Sequence, residues 1–154
     1  MAQCRLPKPK DPVAASKVEV IELLFAYVDR LRAHFDSVAK AHDLTPVQAK
    51  VVLFLGQPER MRCVADGLGC DPSNVTGVVD RLEERGLILR EEGKPDRRVT
   101  LLKETPRGRK LREKLEAVLF EDVPGMDRLT SAQVAGLKEA LARLGAEDVV
   151  QPSK

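Results

Sequence analysis

The residues with reactive side chains are few, and their spacing argues against catalysis. Cysteines stand at positions 4, 63 and 70 and histidines at 34 and 42. The chain has no GxSxG, no HExxH and no Walker or Rossmann glycine pattern. His34 and His42 lie eight apart on one predicted helix, too far for paired metal ligation at i and i+4, so no metal site, no cofactor and no enzymatic activity is expected. Three cysteines, an odd number without paired CxxC spacing, give neither a disulfide framework nor a zinc site, and reduced thiols are expected. Cys4, flanked by cations, and Cys63, near a helix start, are the candidate thiol sensors, because both settings lower a thiol's pKa. Cys70 falls at a core-like position, where a free thiol acts as a small hydrophobe. The densest chemistry is ionic: GKPDRRVTLLKETPRG, residues 93–108, gathers Lys94, Arg97 and Arg98 around Asp96. Such a loop is either a solvated turn or a surface for an anionic partner.

Composition limits the choice. Of 154 residues, 43% are apolar and 32% charged, a globular balance, but only 3% are aromatic, so the core must be built from Leu and Val. The 26 Lys and Arg exceed the 24 Asp and Glu by only two. Affinity for nucleic acid must therefore come from local placement of charge. The apolar run Val51 to Leu55 is far shorter than the roughly 20 residues that span a bilayer, and MAQCRLPKPKDP lacks the apolar segment of a secretory signal. A cytoplasmic protein without a membrane partner is expected.

The elements that position these residues follow from periodicity and caps. From Ala14 to Ala41, Val18, Ile21, Leu24, Phe25, Val28, Leu31, Phe35 and Val38 recur around one wide helical face. Thr45, Pro46 and Gln48 form a helix-start signature running on to Gly56, and Arg62 to Leu68 is a shorter helix closed by Gly69. Asp71 caps a helix opened by Pro72, with Val75, Val79 and Leu82 inward and Gly86 as its stop. Ser73, Asn74, Thr76, Gly77, Asp80, Arg81 and Glu84 then fall outward. Leu87–Leu89 and Val99–Leu102 flank the basic stretch as a hairpin. Thr105 and Pro106 open another helix, with Leu111, Leu115, Val118 and Leu119 as its stripe. Thr130 and Gln133 cap a last one, carrying Val134, Leu137, Leu141 and Leu144 up to Gly145.

Three helices followed by a two-stranded hairpin make a winged helix-turn-helix, in which the third helix enters the major groove and the hairpin tip flanks it. The stretch DPSNVTGVVDRLEERGLILREEGKPDRRVTLL, followed by TPRGR, resembles the core of the MarR (multiple antibiotic resistance regulator) family over about Leu44 to Leu111. The resemblance implies a mainly α (α+β) fold: an N-terminal tail and dimerisation helix over 1–43, a winged helix-turn-helix over 44–104, and C-terminal dimerisation helices over 105–154. It implies a homodimer on a pseudo-palindromic double-stranded DNA operator, acting as a transcriptional regulator, a repressor released by a small aromatic or anionic effector or, as a lesser route, by an oxidant. The wide apolar faces of the terminal helices support pairing independently. The alternative is a winged-helix module that binds a protein and not DNA; the basic wing argues against it.

The expected DNA-binding residues are Ser73, Asn74, Thr76, Gly77 and Arg81 on the helix and Lys94, Asp96, Arg97 and Arg98 on the wing. Hydroxyl and amide side chains read base edges, although Ser73 and Asn74 also suit a helix start. By resemblance, Asp96 braces Arg98. Two positions depart from the family pattern. Gly77 replaces a long polar or basic side chain, at up to about 1 kcal/mol of helix stability, and shifts reliance toward the wing. Glu104 replaces an apolar residue; a carboxylate there needs a partner to be buried, and the sequence supplies no account of it. The two histidines are expected as helpers in the dimer interface; with Tyr27 they are also candidates for lining an effector pocket, which nothing in their spacing requires.

Overall fold

The computed structural model describes residues 9–93 and 99–146. Its helices begin where short polar side chains satisfy the first unpaired amides. Asp11 accepts a hydrogen bond from the Ala14 amide and opens α1 (Pro12–Ala41). Thr45 and Gln48 exchange bonds of 2.9 and 3.2 Å in a complete capping box at the start of α2 (Pro46–Phe54). A two-residue strand, β1 (Glu59–Arg60), leads into α3 (Met61–Leu68), which ends at Gly69 with φ 60°. Then come α4 (Pro72–Glu84), β2 (Ile88–Glu92), β3 (Thr100–Glu104) and α5 (Pro106–Glu121). After a 3-10 turn at Met126–Arg128, a second capping box, Thr130 with Gln133, opens α6 (Ser131–Leu141). The boundaries expected from sequence shift by one to three residues: α2 stops at Phe54, and α6 gives way at Leu141 to a wider turn in which Gly145 has φ 80°.

The sheet order is β1-β3-β2, antiparallel throughout, with Arg90 opposite Leu102 and Glu59 also opposite Leu102. The strand β1 was not expected. It is only two charged residues long, and what makes it a strand is pairing with β3 some 40 residues away. The core gathers Val51, Leu55, Val64, Val75, Val79, Leu82, Ile88, Leu102 and Leu115, all fully buried. It therefore sits where α2, α3, α4, the sheet and the middle of α5 meet. Val75, Val79 and Leu82 point inward as their spacing requires.

The terminal helices behave differently. Only Val38 and Ala39 of the 30-residue α1 are buried, and no residue of α6 is. Leu23, Phe25, Phe120 and Leu144 are each about two-thirds exposed or more, and Val13, Val20, Ile21 and Val134 are exposed as well. The expected wide face of α1 splits in two: Phe35 and Val38 pack on the chain's own core, while Ile21, Phe25 and Val28 do not. Covering a side chain of this kind stabilises by about 1.5–3 kcal/mol.

Candidate nucleic-acid interface

The helix α4 is anchored from below by its three buried apolar residues and from its start by Asp71. The Asp71 carboxylate accepts from the Ser73 hydroxyl at 2.6 Å and from the Ser73 amide at 2.9 Å. These two bonds, the hydroxyl's first, hold its pKa below the usual carboxylate range. Ser73 thus serves the cap while remaining exposed. Asn74, Thr76, Gly77, Asp80 and Arg81 are exposed with it, so five of the expected contact residues, Ser73, Asn74, Thr76, Gly77 and Arg81, lie on the outward side of one rigid helix. A Cβ built on Gly77 would meet nothing within 4 Å. Packing within the chain does not require that glycine.

Beyond α4, Gly86 takes φ 65° and turns the chain into β2. The hairpin narrows to Gly93, whose amide donates to the Val99 carbonyl at 2.8 Å. Lys94, Asp96, Arg97 and Arg98 lie outside the described residues, as does Cys4. The hairpin's base is tied to α4 by Arg90, which reaches back from β2 to Asp80 at 2.5 Å and to Glu83. Burial opposes the charge on Arg90, but hydrogen bonds and charge from the two carboxylates outweigh it and raise its pKa. This residue escaped the sequence reading. The signal that could have found it is a pair of carboxylates three apart on the helix, followed by an Arg on the next strand.

The chain's likeness to known proteins can be set against this geometry. The MarR family model matches residues 44–100, from the residue before the α2 cap to the first residue of β3. A solved structure of a Pseudomonas aeruginosa protein assigned as a transcriptional regulator is 30% identical, with a TM-score of 0.64 over 79% of this chain and 93% of that one.

The chain belongs to the MarR family.

A Thauera aromatica protein assigned to transcriptional regulation of the hcr operon is 35% identical over 91 residues, 58% of this chain and 55% of that protein. The chain spans about half the length of the curated relatives it matches. CouR from Rhodococcus jostii RHA1, solved bound to p-coumaroyl-CoA, is 27% identical with a TM-score of 0.66, covering 88% of this chain and 94% of that one.

Two features of the MarR motif acquire physical reasons here. In TPRGR, Thr105 donates its hydroxyl to the Gly86 carbonyl at 2.8 Å, its amide donates to the Leu87 carbonyl at 3.0 Å, and its hydroxyl oxygen accepts from the Gly108 amide at 3.0 Å. Gly108 is needed because a Cβ there would lie 2.0 Å from the Leu87 carbonyl oxygen. The motif welds the start of α5 to the turn between α4 and β2.

The Glu104 departure also finds its partner. Its carboxylate, 9% exposed, accepts from Arg109 at 3.0 Å and from Arg112 at 2.9 Å, and Arg112 reaches on to Glu116 at 2.8 Å. Burial alone would raise the Glu104 pKa; the hydrogen bonds of Arg112 and then Arg109 reverse this and lower it. The hydrogen bonds that Arg112 donates to Glu104 and then to Glu116 raise its own pKa. The partners lie five and eight residues downstream, across the corner from β3 into α5.

The remaining candidates are scattered. Cys63 is exposed on the first turn of α3, and Cys70 is half-buried, donating to the Leu68 carbonyl at 3.4 Å beside the core. On α1, the Tyr27 hydroxyl and His34 Nε2 are buried with no hydrogen-bond partner among the described residues. They lie seven residues apart, two turns along one face, whereas His42 sits past the helix end as its C-cap. Among the described residues no group of three His, Cys, Asp or Glu is placed to hold a metal ion. No helix there is long and apolar enough to cross a membrane.

Proposed function

We propose that the protein is a transcriptional regulator that binds duplex DNA as a homodimer, with α4 in the major groove and the wing against the flanking backbone. The observation that carries this reading is the outward row of α4. Small polar side chains and an Arg stand on a helix whose opposite face is locked into the core, the arrangement by which a helix presents donors and acceptors to base edges. Ser73, Asn74, Thr76, Gly77 and Arg81 are assigned to that helix contact, and Lys94, Arg97 and Arg98, with Asp96 as brace, to the phosphates. Family membership and the regulatory assignment of the Thauera aromatica relative support it.

The partition into a reading unit over 44–104 and dimerisation segments over 1–43 and 105–154 is supported by the uncovered apolar residues of α1, α5 and α6. A second copy covers them on this reading. Release by a small aromatic or anionic effector is supported by the Tyr27 hydroxyl and His34 nitrogen, which find no partner among the described residues, since a buried polar atom without a partner costs about 1–3 kcal/mol until something satisfies it. The aromatic, anionic ligand bound by CouR fits the same class. The test is selection of preferred duplexes from a random pool, followed by a gel shift and light scattering. A palindromic consensus bound by a dimer is expected; a monomer, or no enrichment over random DNA, would refute the proposal.

A further inference from the structure

Arg90 sits in an unusual position for a charged residue of a thin sheet. Alternation along β2 places it on the same face as Ile88, which is 2% exposed in the core against α4. One step nearer the tip, that face reaches the surface of α4, where Asp80 and Glu83 stand three apart on one side of the helix. Arg90 joins both carboxylates, and its own amide donates to Glu83 at 3.2 Å. That amide belongs to the outer strand of the sheet, so Glu83 supplies the acceptor that no neighbouring strand provides. The Arg90 side chain is only 27% exposed. Three bonds to a helix from one strand residue, one of them through the backbone, fix an angle. An exposed ion pair between two long side chains does not.

Resting on the DNA-binding reading above, we propose that Arg90 is the positioning residue that sets the wing against the reading helix, and so determines how well the protein distinguishes its operator from other DNA. Asp80 is half-exposed on the outward side of α4, one turn beyond Thr76 and Gly77. Left alone, its carboxylate would face DNA phosphates. Held by Arg90, it becomes part of the frame that keeps helix and wing in one relative placement, so base contacts and phosphate contacts can be made together. Arg90 need not touch the DNA to act in this way.

Two variants separate positioning from charge. Arg90→Gln removes one positive charge; Asp80→Asn with Glu83→Gln removes two negative ones and leaves Arg90 in place. Charge alone moves binding to all duplexes, downward in the first variant and upward in the second. A lost placement lowers the ratio of operator to scrambled-duplex affinity in both, by about tenfold, the scale of one spoiled base contact. The measurement is fluorescence anisotropy on a duplex selected by the unaltered protein and on its scrambled counterpart, with circular dichroism confirming the fold. If Arg90→Gln does not fold, the helix double variant carries the test. An unchanged ratio in the folded variants overturns the role of Arg90 alone. Failure of the unaltered protein to bind any duplex overturns the DNA-binding reading and this inference with it.

Discussion

Substituting Gly108 by Ala tests the weld between α5 and the turn that joins α4 to β2. A methyl group on Gly108 would lie 2.0 Å from the Leu87 carbonyl oxygen and 3.0 Å from its carbon. A carbon and a carbonyl oxygen settle at about 3.3 Å or more, so the start of α5 must retreat by about 1.3 Å, against backbone that has no rotamer to change. That retreat stretches the bonds from the Thr105 hydroxyl to Gly86 and Leu87, now 2.8 and 3.2 Å, and from its amide to Leu87, now 3.0 Å. The hydroxyl shares its one proton between the two carbonyls, so this is two bonds' worth, about 1 kcal/mol each, and the alanine returns up to about 1 kcal/mol in helix propensity. With residual crowding, the net loss is about 2–4 kcal/mol, or a fall in Tm of about 5–15 °C for a chain of this size. Thermal unfolding followed by circular dichroism, at one protein concentration for both proteins, reads it directly. A Gly108→Ala protein that melts at or above the unaltered temperature would refute the argument, because the corner would then be soft enough to absorb a methyl group.

Gly77→Ala has the opposite sign: with nothing within 4 Å of the new methyl, stability should rise by up to about 1 kcal/mol, while operator binding measured by anisotropy should weaken if the bare backbone lies close to DNA. Glu104→Gln should destabilise by about 2–3 kcal/mol at pH 7, through loss of a nearly buried partner of Arg112. Because the folded pKa of Glu104 is lowered from 4.5, its contribution is full above that value and is lost as pH falls through the folded pKa. Acid titrations of stability should therefore be steeper for the unaltered protein than for Glu104→Gln. Arg98→Ala should weaken binding to operator and unrelated duplexes alike and reduce the salt slope by about one, whereas Asn74→Ala should change the preferred sequence; equal behaviour of the two variants would count against the division between phosphate and base contacts.

Much of this fold was legible because its signals are local. Asp71, Thr105 and the Thr45–Gln48 and Thr130–Gln133 pairs act over two or three residues, and the inward spacing of Val75, Val79 and Leu82 is a property of one helix. What escaped depends on elements that meet only after folding. Glu59 and Arg60 carry no alternation that marks a strand, and only β3 makes them one. Glu104 looked out of place because its partners wait around a corner, and Arg90 looked like an ordinary polar strand residue because α4 had not yet been laid beside it. Of the candidate site, the helix half was readable as outward positions. Its register against the wing was not, since an angle between two elements is written in cross-contacts and not in either element's periodicity.

The exposed face of α1 has a consequence in time. Nothing among the described residues covers Ile21, Phe25 and Val28, and on the dimer reading proposed above a second copy covers them only once α5 has been made, about 80 residues beyond the end of α1. At about 5–20 residues per second on the ribosome, Ile21, Phe25 and Val28 stay wet for at least roughly 4–16 s after α1 has emerged. The segment between α1 and α5 is made in that interval, and its core is complete only when Leu115 of α5 arrives. Lesions in α5 or α6 should therefore appear first as poor recovery of newly made chains, caught by chaperones or lost to clumping, before any defect is visible in the molecules that complete assembly.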